Sequence, residues 1–126
     1  MQSDRPVGLT KGQGWEIGVR RTLPLDAVEA WEQIMNLLGL VWDDGVGYER
    51  GTAFVTEDDT RAEIISYEQG RLIRLKWQPS GADDTSTLQF RVLPAKTGTT
   101  ISVHHEQLKS AEQREAMRAH WAGVLA

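Results

Sequence analysis

His104-His105-Glu106 is the most catalytic-looking cluster in the chain. An imidazole can take or give a proton near neutral pH. Successive residues of a strand point to opposite faces, so His104 and His105 cannot converge on one substrate or one metal. His105 shares its parity with Ile101 and Val103 and is expected to face the interior. It reads first as a core histidine that fixes a helix against a sheet, and second as a weak candidate for a general base. A zinc-protease pattern needs another histidine four residues on, where Lys109 stands. His104, His105 and His120 have no metal-ligand spacing, so no metal and no cofactor are expected. Cysteine is absent, which removes thiolate chemistry and disulfides. A serine-hydrolase elbow, a phosphate-binding loop and a dinucleotide glycine fingerprint are also missing.

The remaining charged groups have plain readings. Asp43-Asp44, Glu57-Asp58-Asp59 and Asp83-Asp84 fall in turns, where aspartate bonds its own backbone. Arg20, Arg74, Lys76 and Arg91 fall on outward strand faces, where Glu16, Glu63 and Glu106 are placed to pair with them. A solvated face is the expectation, and only an asymmetric basic patch would change it.

The aromatic residues are more informative. Five tryptophans in 126 residues is a high number for so short a chain. Trp15, Trp31, Trp77, Phe90 and Trp121 are spread over the elements that must meet inside, while Trp42 and Phe54 lie near turns. Core and pocket draw on the same residues here, and both readings stay open. The expected ligand-binding set is Trp42, Phe54, Tyr67, Trp77, Phe90, Val103, His105, Met117 and Trp121. Tyr67, His105 or the Trp77 indole would orient the ligand.

These residues need elements to position them. Trp15, Ile17 and Val19 alternate with polar residues, which predicts a half-buried strand ended by Pro24. The pattern then predicts a helix over Leu25 to Asn36, with Asp26 at its start and Gly39 as its stop. Ala27, Val28, Trp31, Ile34, Met35 and Leu38 form its apolar face, and a second short helical turn is expected over Leu37 to Trp42. Strands follow over Thr52–Thr56, Arg61–Glu68, Arg71–Gln78, Thr87–Leu93 and Thr99–Leu108, with Lys96-Thr97-Gly98 as a hairpin turn. Ser110 and Gln113 form a capping box for a last helix striped by Met117, Trp121, Val124 and Leu125. Short turns favour an antiparallel meander, and the helices are the only cover for its apolar face. Residues 1–14 read as a loose arm and 15–126 as one domain.

The bulk properties agree with one globular domain. A chain of 126 residues buries roughly two-thirds of its unfolded surface. A net charge of -4 argues against a general nucleic-acid binder. The longest apolar stretch, Met35 to Trp42, is far short of the roughly 20 residues of a membrane span. No export signal is read, and a cytoplasmic setting is expected.

Four segments resemble the SRPBCC (START-like, helix-grip) superfamily, in its branch of activator-of-heat-shock-ATPase homologues. They are Pro24-Leu25-Asp26-Ala27-Val28-Glu29-Ala30-Trp31, Arg71-Leu72-Ile73-Arg74-Leu75-Lys76-Trp77, Gly98 through His104-His105-Glu106, and Arg114-Glu115 with Trp121 and Leu125. The resemblance spans Trp15 to Leu125. It departs from the family at His120, where glycine often precedes the helix tryptophan, and in the shortness of the final helix. It implies an α+β helix-grip fold, a curved antiparallel sheet around a C-terminal helix, with one or two short helices after the first strand. It fixes no reaction. Three functions are therefore expected in order. The first is binding of a hydrophobic or aromatic small molecule between sheet and C-terminal helix. The second is a protein-interaction module acting on a chaperone or another ATPase. The third is a cyclase-like or hydrolytic enzyme using His105. A monomer or a homodimer is compatible with all three.

Overall fold

The computed structural model describes residues 9–10, 14–41 and 48–125. Its elements are β1 (Leu9–Thr10), β2 (Gly14–Leu23), α1 (Ala27–Leu38), β3 (Ala53–Val55), β4 (Arg61–Glu68), β5 (Leu72–Gln78), β6 (Ser86–Ala95), β7 (Gly98–Leu108) and α2 (Ala111–Leu125). One antiparallel sheet runs in the order β1-β2-β7-β6-β5-β4-β3. Strands β3 to β7 form the expected meander, and β2 returns to pair with β7. Two residues of the expected loose arm, Leu9 and Thr10, pair with the start of β2 at the sheet edge.

Helix α1 begins where the sequence says it must. The Asp26 carboxylate accepts the Glu29 amide at 2.8 Å, and the Glu29 side chain accepts from the Asp26 amide at 3.4 Å. That capping box satisfies two amides that a helix start leaves unpaired. The stop is Gly39, which adopts a φ of 74° and donates to Asn36. The buried face is Ala30, Trp31, Ile34, Met35 and Leu38. Ala27 and Val28, expected on that face, are exposed. They precede the turn at which α1 meets the sheet, and Ala30 takes the inner position. Leu37 and Leu38 belong to α1, and Leu40 and Val41 are not helical, so among the described residues one helix follows β2 before β3. Trp42 and the turn with Asp43-Asp44 lie outside the described residues.

Helix α2 opens at Ser110, whose hydroxyl accepts the Gln113 amide at 3.1 Å. The Gln113 side chain returns to the Lys109 amide, one residue before the cap. Trp121 and Leu125 are buried, Met117 is half-buried, and Val124 stays exposed. Arg114 bonds the Glu16 carbonyl at 3.0 Å and ties α2 to β2. Both helices cover the same apolar face, α2 over β2 and β7, α1 over β6 and β7.

Two bulges reset the alternation. Ile64 pairs with Leu75 but Ser66 with Arg74, so Ile65 is an extra residue in β4. The bulge turns Tyr67 inward, opposite Ile73. In β7, Trp15 pairs with Leu108 but Ile17 with His105, and Gln107 takes a φ of 62°. This returns Leu108 to the core side shared by Ile101, Val103 and His105.

The β6–β7 turn is the tightest point. Gly98 has a φ of 145°, and a Cβ there would stand 2.0 Å from the Leu23 carbonyl oxygen. At Gly39 a Cβ would meet nothing within 4 Å. Gly39→Ala is therefore expected to cost only the left-handed backbone penalty, about 1 kcal/mol. Gly98→Ala adds a backbone collision and is expected to cost at least about 3 kcal/mol. Urea unfolding of the two variants checks this ordering.

Candidate functional site

The site begins with Trp121, which α2 carries onto the middle of the sheet. Its ring meets Phe90 edge-on at 5.5 Å and lies 6.2 Å from Trp77. Its indole N–H donates to His105 Nδ1 at 3.1 Å. An indole nitrogen can only donate, so Nδ1 must accept and the neutral ring carries its proton on Nε2. That Nε2–H faces Ser86 Oγ at 2.7 Å, and the Ser86 hydroxyl donates on to the Trp77 carbonyl at 3.3 Å. The relay runs through α2, β7, β6 and β5 with a defined direction at each step. It leaves His105 no free lone pair.

Burial holds the His105 pKa down to about 4, and the nearby His120 and His104 add to the effect. The ring is neutral at physiological pH, as the relay requires. His104 lies on the outer face, 3.2 Å from Glu106 and 3.6 Å from Glu16. The two adjacent histidines thus serve opposite sides of the sheet.

A second aromatic group sits under α1. Tyr67 packs 5.9 Å from Trp31 and 5.6 Å from Tyr48, whose hydroxyl donates to the Val41 carbonyl. The Trp31 indole N–H and the Tyr67 hydroxyl are buried without a hydrogen-bond partner among the described residues. Burial raises the Tyr67 pKa.

Between α1 and the last turn of α2 lies an open groove of about 640 Å³. Phe90 and Ile101 form its floor. Ile34 and Leu37 line the α1 side, Val124 and Leu125 the α2 side, and Leu23, Pro24 and Leu25 close one end. Gln33 and Asn36 are the polar side chains in the lining, and no charged residue is among them. Leu37 is 43% exposed and Val124 37%, so two large apolar side chains stand at the rim in water.

Of the expected ligand-binding residues, Phe90 lines this groove. Trp77, Val103, His105 and Trp121 are packed together in the core beside it. Phe54, Tyr67 and Met117 are half-buried against that core, and Trp42 lies outside the described residues. Sequence reasoning missed Leu25, Leu37 and Val124 as a group. The signal was present in Leu37 and Val28, apolar residues off the buried stripe of α1. The acidic turn at Asp58 is local turn chemistry: its carboxylate accepts from the Thr56 hydroxyl and the Thr60 amide. Those bonds, Thr56 foremost, hold its pKa down. Among the described residues no cluster of three or more ligating side chains is placed to hold a metal ion. No described helix is long and apolar enough to cross a membrane.

The buried histidine makes stability depend on pH. His105 takes up a proton near pH 4 when folded and near 6.5 when unfolded. Between those values the unfolded chain holds more protons, so acid favours unfolding. The contribution is complete above the unfolded value and falls as pH drops through the window, by on the order of 3 kcal/mol. Replacing the ring by His105→Gln is expected to remove this slope. Urea titrations at stepped pH check it, and equal slopes in both proteins would contradict a neutral relay.

No protein-family model matches the chain, and no curated protein matches it in sequence. Solved structures do. CalU16 from Micromonospora echinospora aligns over 89% of this chain and 73% of its own, with a TM-score of 0.70 and 18% identity. The protein MLL2253 from Mesorhizobium loti aligns over 86% and 90%, with a TM-score of 0.64 and 19% identity. An HSP90 activator from Plasmodium falciparum aligns over 78% and 76%, with a TM-score of 0.61 and 14% identity. At such identities the likeness is one of fold. The chain has the α+β helix-grip fold that its sequence resemblance implies.

Proposed function

We propose that this domain binds a neutral hydrophobic small molecule in the groove between α1 and α2. The observation that carries the reading is the lining itself: an apolar floor of Phe90 and Ile101, apolar walls, and only the amides of Gln33 and Asn36 to orient a guest. A guest covering this surface gains roughly 25 cal/mol per Å² of apolar area removed from water. A charged guest would lose its hydration with no opposite charge to replace it. The Trp121, Trp77 and His105 packing gives the groove a stiff neighbour rather than ligand contacts.

The enzymatic reading has less support. His105 is engaged at both nitrogens and is buried. A general base must reach a substrate proton with a free lone pair. The interaction-module reading draws on the fold likeness to the HSP90 activator. It would need a partner surface other than a filled groove.

The test uses the neutral fluorophore N-phenyl-1-naphthylamine and native mass spectrometry. The probe is expected to bind saturably with one site per chain. Leu37→Glu places a carboxylate at an exposed rim position and is expected to weaken binding roughly tenfold or more without unfolding the domain. A clean apo mass and no saturable probe signal would count against this function and favour a protein partner.

A further inference from the structure

The outer face of the sheet carries charges that the groove does not use. Glu63 stands directly opposite Lys76. Arg74 bonds the Glu106 carboxylate through both terminal nitrogens at 3.4 Å and the Gln89 side-chain amide oxygen at 3.2 Å. Glu106 and Glu16 also hold His104. Glu106 and Glu16 are thus engaged around His104, in the C-terminal half of β7. One outward row along β7, Arg20 and Arg91 are the direct cross-strand partners of Ser102, one on each side. Both are exposed, and neither makes an ion pair or side-chain hydrogen bond among the described residues. The patch is therefore asymmetric.

The geometry of this patch is specific. Neighbouring strands lie about 4.8 Å apart, so the two arginines are rooted about 10 Å apart with Ser102 between them. Two guanidinium groups held there repel each other unless an anion joins them. In the next row Gly18 pairs with His104. Gly18 has no side chain, and a Cβ there would meet only the Val103 carbonyl oxygen, at 4.0 Å. The gap opens into a hollow of about 330 Å³ whose lining includes Gly18, Arg20, Gln89, Arg91, Ser102 and His104. No carboxylate lines it. A chain of net charge -4 thus keeps, among the described residues, a hollow with no carboxylate in its lining between two cations that form no ion pair.

We propose that this hollow binds a phosphoryl dianion. Guanidinium forks match phosphate oxygens two at a time, and two of them balance a double charge. The Ser102 hydroxyl supplies a further donor from below. So does the Gln89 amide nitrogen, since the Gln89 oxygen already accepts from Arg74. A carboxylate would leave one guanidinium uncompensated. The hollow lies across the sheet from the groove and does not depend on the reading of that groove.

The experiment is a titration of isotope-labelled protein with inorganic phosphate, at low ionic strength and mildly alkaline pH. Amide and arginine Nε–H resonances are followed. Signals of Arg20, Arg91 and Ser102 are expected to shift together and to saturate, with acetate at least about tenfold weaker. Vesicles of phosphatidylcholine, with and without phosphatidic acid, separate a lipid headgroup from a soluble phosphoryl compound as the source. Arg20→Gln with Arg91→Gln removes two exposed side chains and is expected to weaken binding at least about tenfold. Gly18→Glu, which fits the open space, is expected to abolish it while the unfolding midpoint stays close to that of the parent chain. No saturable shift with phosphate or with either vesicle would overturn the proposal. So would shifts that persist in the double variant, or acetate binding as tightly as phosphate.

Discussion

The interaction on which the rest depends is the buried hydrogen bond from Trp121 to His105. A short α2 could lie on a sheet at several angles if apolar contact alone held it, because burial has no direction. The indole N–H removes that freedom. It has one acceptor within reach, His105 Nδ1, and the ring passes the constraint to Ser86 and the Trp77 carbonyl. Four elements are thereby fixed relative to one another through groups that must be neutral and correctly oriented. Breaking one link would leave a buried donor or acceptor unmatched, which costs about 1–3 kcal/mol. Arg114 adds a second tie at the other end of α2, on the Glu16 carbonyl.

That placement decides where open space can exist. Trp121 packs over the centre of the sheet against Phe90 and Trp77, and the groove lies beyond it. One turn later the helix offers Val124 and Leu125, which are smaller, and α1 offers Ile34 and Leu37. The helices part there, and the buried residues Phe90 and Ile101 form the floor of the groove. One tryptophan therefore closes the core and, by its position, opens the groove. Core and pocket compete for the same aromatic residues. This is why their types alone could not assign Trp77, Phe90 and Trp121 between the two.

Much of this architecture was legible in sequence because it rests on local chemistry. The Asp26 cap, the Gly39 stop, the Ser110 cap and the alternation in β5 and β6 are each set by a few neighbouring residues. The face taken by His105 followed from parity with Ile101 and Val103. What escaped depends on contacts across the chain. The bulge at Ile65 turns Tyr67 inward, and no residue type announces it. Ala30 replaces Ala27 and Val28 on the inner face of α1 because the crossing point is set by the sheet, not by the helix. The groove joins residues of β2, α1, β6, β7 and α2 that only the fold brings together. The partner of the His105 ring was equally invisible, since Ser86 and Trp121 lie on different elements.

Strands β6 and β7 build both faces at once. Phe90 and Ile101 are floor residues of the groove, and their next neighbours Arg91 and Ser102 line the outer hollow. Phe90 pairs with Val103, and Arg91 with Ser102, in one continuous register. Because side chains alternate with a period of two, a slip of one residue would carry Arg91 into the core and Phe90 into water. The buried face forbids that slip at a cost no surface group could offset. The hydrophobic core therefore fixes the spacing of Arg20, Ser102 and Arg91 as firmly as it fixes Phe90. Charged residues on a mobile loop would have no such spacing imposed on them. Here the polar row on the outside inherits its order from the apolar row inside, and the sheet itself holds the two arginines on either side of one hydroxyl.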